Sequence, residues 1–184
     1  MASNTWNQTL ISAQTDGGAL ASAAAASALP AQAVFTLPAN TLKIGDKLCV
    51  RASGRISCAV TTPGTARYDL RIGGNVIFDS QAMNLNIVAK TNVGWWLDVE
   101  YVVRAVGATA NGLGQGIWLS EAAIATPLPT VGPGPGGFTL PYNTAPVVGA
   151  NFNSTISNVV DLFFTQTVAT GSMTLHSYEL IYKN

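Results

Sequence analysis

The run Trp95–Val106 constrains this chain more than any other stretch. Trp95, Leu97, Val99, Tyr101, Val103 and Ala105 share one parity, and Trp96, Asp98, Glu100, Val102, Arg104 and Val106 share the other. Twelve residues at period two describe a β-strand with one buried face. A helix would scatter Asp98, Glu100 and Arg104 around its circumference and gather no stripe. Leu113–Ile124, after a Gly107–Gly112 turn, is the expected antiparallel partner.

The same texture continues on both sides. Ala33–Leu37 alternates and stops at Pro38. Leu48–Ala52 alternates, Gly54 follows as a turn residue, and Ile56–Thr62 returns to Pro63-Gly64. Tyr68, Leu70 and Ile72 are expected inward, with Arg67, Asp69 and Arg71 outward. Gly73-Gly74-Asn75 is a hairpin signal before Val76–Phe78. Thr126–Gly137 carries four prolines and reads as a long loop. Phe138–Leu140, Val147–Ala150, Val159–Val168 and Met173–Tyr182 complete the strands, the last two joined as a hairpin by Ala169–Ser172. Eight to ten strands with regular turns predict an all-β fold, an antiparallel two-sheet jelly-roll-like β-sandwich over residues 32–184.

Residues 1–31 differ. They hold one charged residue, Asp16, and their bulky apolar residues before Leu20 are Trp6, Leu10 and Ile11. Gly17-Gly18 breaks the segment, and the alanine-rich Ala19–Leu29 favours a short helix. The segment is expected as an extended N-terminal arm. Either it hangs loose, as termini often do, or it orders against a neighbouring subunit through those three residues.

Composition excludes several roles. Charged residues are 10% of the chain, against about 25% in an average domain. Nine basic and nine acidic residues leave no net charge, which argues against a nucleic-acid partner. So few charges protect poorly against self-association, which suits a protein docked in an assembly. No uninterrupted apolar run is long enough for a membrane-spanning helix, and no basic residue precedes the alanine-rich stretch as in a secretory signal.

The residues offer little chemistry. His176, the one histidine, sits within a strand and reads as a packed or half-exposed residue there. Asp98 and Glu100 share a strand face about 7 Å apart, but Arg104 on the same face makes a solvated charge pattern the simpler reading. Cys49 and Cys58 lie on neighbouring predicted strands, either as free thiols or bridged if register allows. They are too few for a zinc site, and no cofactor is expected. Gly112-Leu113-Gly114-Gln115-Gly116 lacks the Lys-Ser/Thr of a phosphate loop and reads as a turn, as does Gly132–Gly137. Trp96, outward on its strand, is a candidate packing or binding platform, and Trp118 and Tyr142 are further interface candidates.

Several stretches together resemble a known group. They are Phe35-Thr36-Leu37-Pro38-Ala39-Asn40-Thr41-Leu42-Lys43-Ile44-Gly45-Asp46, the Thr61–Thr65 turn, Ala89–Leu97, Gly114-Gln115-Gly116 and Leu175–Leu180. From residue 35 onward the chain resembles tailed-bacteriophage virion proteins of the jelly-roll capsid decoration (cement) or head-fibre type. The resemblance implies a non-enzymatic structural protein on the outer surface of the capsid. Its implied partners are the major capsid protein and further copies of itself, as a homotrimer. The alternative is a tail or head-fibre appendage that binds a host receptor or glycan, with Trp118 and Tyr142 as exposed loop-tip aromatics.

Overall fold

The computed structural model describes residues 6–58, 64–124, 136–169 and 171–184. Its strands are β1 (Asn7–Ser12), β2 (Ala26–Ser27), β3 (Phe35–Leu37), β4 (Lys47–Cys58), β5 (Thr65–Ile72), β6 (Asn75–Asp79), β7 (Met83–Asn84), β8 (Lys90–Ala105), β9 (Asn111–Ser120), β10 (Gly136–Leu140), β11 (Asn158–Gln166) and β12 (Ser172–Lys183). The first sheet runs β1-β12-β4-β8-β9-β10. The second runs β2-β11-β5-β6, with β3 also on β11 and β7 on β5. Every strand pairing is antiparallel. The fold is therefore the expected all-β, two-sheet sandwich.

Period-two alternation decides what fills the space between the sheets. On β8, Trp95, Leu97, Val99, Tyr101 and Val103 are all buried, as are Tyr68, Leu70 and Ile72 on β5. Tyr68 ties the layers together. Its ring centroid lies 5.3 Å from Trp95 on the first sheet and 5.3 Å from Phe164 on its own. Offset aromatic contacts of this kind add to the burial of the rings themselves.

Several expectations change. The alternating glycines of 112–116 are no turn: they lie inside β9 on its core face. A Cβ on Gly112 would meet the Tyr101 ring at 2.6 Å, and one on Gly114 the Phe78 ring at 2.4 Å. Large side chains from β8 and β6 occupy the space that β9 leaves empty. Gly54 likewise sits within β4 rather than at a turn. There β12 approaches so closely that a Cβ would lie 2.0 Å from the Thr174 carbonyl oxygen. Cys49 and Cys58 consequently share one continuous strand, nine residues or about 30 Å apart, and both thiols are free. Finally, β11 and β12 belong to different sheets and do not form the expected hairpin.

The N-terminal segment lies along the sandwich. β1 pairs with β12, and Gly17 and Leu20 donate main-chain hydrogen bonds to Leu175 and Met173. β2 pairs with β11 on the other sheet. The alanine-rich stretch forms no helix. Its alanines lack the volume to anchor a helical face, whereas extended backbone finds partners on β11 and β12. The expected strand at 147–150 is reduced to one isolated bridge, Val148 to Leu113. The expected loop at 126–137 lies outside the described residues except for Gly136 and Gly137, which open β10. The end of the expected Ile56–Thr62 strand also lies outside them.

Candidate interaction surfaces

The outer face of the first sheet carries the outward parity of β4, β8 and β9. Register sets Trp96 opposite Leu119 and Asp98 opposite Ile117. Trp96, Ile117 and Leu119 therefore form one apolar patch, each between 43% and 46% exposed. Gly137 on β10 leaves room beneath Leu119; a Cβ there would meet Leu119 Cδ2 at 2.7 Å. Scattered exposed apolar residues are ordinary; these three lie side by side, which makes them a candidate contact surface.

Ion pairs border the patch. Arg51 Nε lies 3.2 Å from Asp98 Oδ2, and Lys47 Nζ donates to Glu100 Oε1 at 2.8 Å. Lys183 approaches Glu100 from β12 at 4.0 Å. The hydrogen bond to Glu100 raises the Lys47 pKa. Asp98 and Glu100 do share a face, but their basic partners are Arg51 and Lys47 from β4 rather than Arg104. Cys49 is buried between these pairs, and burial pushes its thiol up.

A second surface lies where the sandwich opens at its termini. Trp6, Gln8, Leu10, Phe35, Leu37 and Tyr182 line a groove of about 430 Å³ between β1 and β3. Trp6 is 49% exposed and stands edge-on to Tyr182, with centroids 6.2 Å apart. The Tyr182 hydroxyl donates to Asp46, whose other contact is the Lys43 amide at 2.7 Å. Burial and the Asp46 carboxylate both raise the Tyr182 hydroxyl above its ordinary range.

The sequence candidates thus separate. Trp96 is outward as expected, and Trp6 is exposed. Leu10 and Ile11 are partly buried and pack against the core, because β1 belongs to the first sheet. Trp118 is fully buried and not a loop-tip aromatic: it stands opposite Leu97 on the core parity, 5.9 Å from both Tyr68 and Phe138. Tyr142 is half-buried and stands edge-on to Phe138 at 4.7 Å. His176 bulges out of β12 and pairs with Asp16 of the N-terminal segment at 2.9 Å.

The outer face of the second sheet holds a network that alternation alone does not reveal. Asp69 is buried rather than outward in water, because Arg67 and Arg71 close over it at 3.3 and 3.1 Å. Arg67 also binds Asp79 at 2.8 Å, and Arg71 lies 3.8 Å over the Phe163 ring. Ser27 of β2 donates to Asp161 at 2.7 Å, and burial raises that carboxyl. The Ser27–Asp161 bond ties β2 to β11, while Asp69 Oδ1 and Arg71 Nε are buried without a hydrogen-bond partner. Among the described residues no cluster of three His, Cys, Asp or Glu is placed to hold a metal ion.

No protein-family model and no curated protein matches the chain. Among solved structures, the CBM2 module of the evolved Dit of Lactobacillus casei BL23 phage J-1 is similar at 13% identity and a TM-score of 0.34. That match covers 82% of this chain and 68% of the other. Likeness at this level fixes neither family nor function, and the functional reading rests on the chain's own residues and surfaces.

Proposed function

We propose that the protein is a structural component of a bacteriophage virion, a capsid decoration protein that docks on the major capsid protein lattice through the outer face of its first sheet. The patch of Trp96, Ile117 and Leu119 carries the reading. Its three side chains leave on the order of 250 Å² uncovered, worth roughly 6 kcal/mol at about 25 cal/mol per Å². Association itself costs a comparable amount, so the patch alone gives weak binding, and neighbouring contacts or linkage between copies strengthen it. The virion resemblance of residues 35–184 points the same way. A ligand that binds only the assembled lattice stabilises the head by mass action.

Co-sedimentation with undecorated heads of its phage tests this. The expected result is binding at a fixed ratio to the major capsid protein, and failure to bind heads at micromolar protein rejects it. A second reading, glycan binding by an appendage, is favoured by the Trp96 ring beside the Arg51–Asp98 pair. A glycan array that lights up while heads stay bare selects that reading.

A further inference from the structure

We propose that the groove between β1 and β3 holds the proline-rich segment 126–135 of a second copy, so that copies join head to tail. The inference goes beyond the lattice reading and uses a different surface.

The groove has the lining that extended proline segments take. Trp6 is half-exposed there, and Phe35, Leu37, Pro38 and the Tyr182 ring add apolar surface around it. Its volume of about 430 Å³ lies within the span of ligand pockets. Proline-rich segments dock in aromatic-lined grooves, and they lose little freedom on binding because proline already fixes φ. Their main-chain carbonyls have no internal partners in the extended form. Gln8 and Lys43 in the groove lining offer side-chain donors to such carbonyls.

The chain carries one ligand of this chemistry. Residues 126–135, Thr-Pro-Leu-Pro-Thr-Val-Gly-Pro-Gly-Pro, hold four of its nine prolines and no charged residue. The other five prolines stand singly along the sequence. The segment itself lies outside the described residues, but its two flanks are placed. Ile124 N–H donates to the Asn84 carbonyl, and Gly136 pairs with Ser120.

Those flanks exclude the groove of the same molecule. The groove opens at the Trp6 end of β1, and the register there runs through Asn7, Lys183, Lys47, Val102 and Leu113 across the sheet. The segment leaves beyond the opposite end of β9 and returns on β10. β10 is five strand spacings from β1, about 24 Å. Ser120 is seven residues along β9 from Leu113, about 23 Å. The segment between Ile124 and Gly136 has eleven residues, and half its contour is about 20 Å. Its tip falls short of its own groove and reaches only that of another molecule. Such a contact is heterologous, since each copy gives a segment and receives one. Closed into a ring, it accommodates the homotrimer that the virion resemblance implies.

Sedimentation velocity of the pure protein tests the contact without heads, so its outcome is independent of lattice binding. The expected species is heavier than one 19.1 kDa chain, and excess synthetic peptide Thr126–Gly136 should return it to monomer. Trp6→Ala disables the groove. Pro127→Ser, Pro129→Ser, Pro133→Ser and Pro135→Ser together disable the segment. Each variant alone should associate at least tenfold more weakly, with an unchanged far-ultraviolet circular dichroism spectrum. Mixed one to one, the two should form a pair of twice the chain mass and nothing larger, because one intact groove meets one intact segment. Saturable binding of the peptide to the wild-type protein, read by tryptophan fluorescence, keeps the test valid if a variant misfolds. A monomer at all concentrations, association that the peptide does not reverse, or folded variants that stay apart when mixed overturns the proposal. So does a monomeric wild type whose head binding is lost in Trp6→Ala, which would give the groove to the lattice instead.

Discussion

Trp96 and Trp118 lie on paired strands, and one register gives them opposite fates. Trp118 faces Leu97 in the core, whereas Trp96 faces Leu119 on the surface. Trp118→Ala should lower stability by about 3–5 kcal/mol, read as a fall in the urea midpoint. Trp96→Ala should move that midpoint by no more than about 0.5 kcal/mol equivalent. Gly114 makes the converse case, since its missing side chain is filled by Phe78. Gly114→Val should cost about 1–3 kcal/mol or more by overpacking, and an unchanged midpoint would refute the close fit.

At the level of elements, strong alternation was readable. The β8 parity and the inward face of β5 follow from period two alone, because one buried face imposes it. What alternation could not supply was the neighbour of each strand. Gly54 and Gly114 look like turn residues along the chain. Their reason lies across it, in the Thr174 carbonyl and the Phe78 ring. Joining β11 to β12 as a hairpin follows from their closeness in sequence, but the two strands belong to different sheets. The parity of β12 also slips at the His176 bulge, which brings Leu175 to the core side with Tyr178 and Leu180. Of the candidate site, Trp96 was legible from parity. Ile117 and Leu119 were missed because their place beside it depends on the β8–β9 register, and Trp118 was misplaced for the same reason.

Across the whole molecule, four of the five tyrosines are buried. Burial raises the hydroxyls of Tyr68, Tyr101, Tyr178 and Tyr182 well above the ordinary range. The folded state thus keeps protons that the unfolded chain releases near pH 10. The stabilisation is fully present below that pH and is lost as pH rises through the folded values. Phenolate absorbance should therefore lag behind that of free tyrosine in an alkaline titration, then rise together with unfolding. Smooth ionisation of all five tyrosines near pH 10, with the fold intact, would contradict these burials.

The same sandwich that buries four of its tyrosines leaves Trp96, Ile117 and Leu119 side by side and half-exposed on its first sheet. The most direct test compares head-binding isotherms of the wild-type protein and Trp96→Ala, with thermal melts confirming that both are folded. The account predicts that Trp96→Ala binds undecorated heads at least tenfold more weakly while melting like wild type. Equal binding by the two proteins would contradict it, because the lattice contact would then lie elsewhere on the molecule.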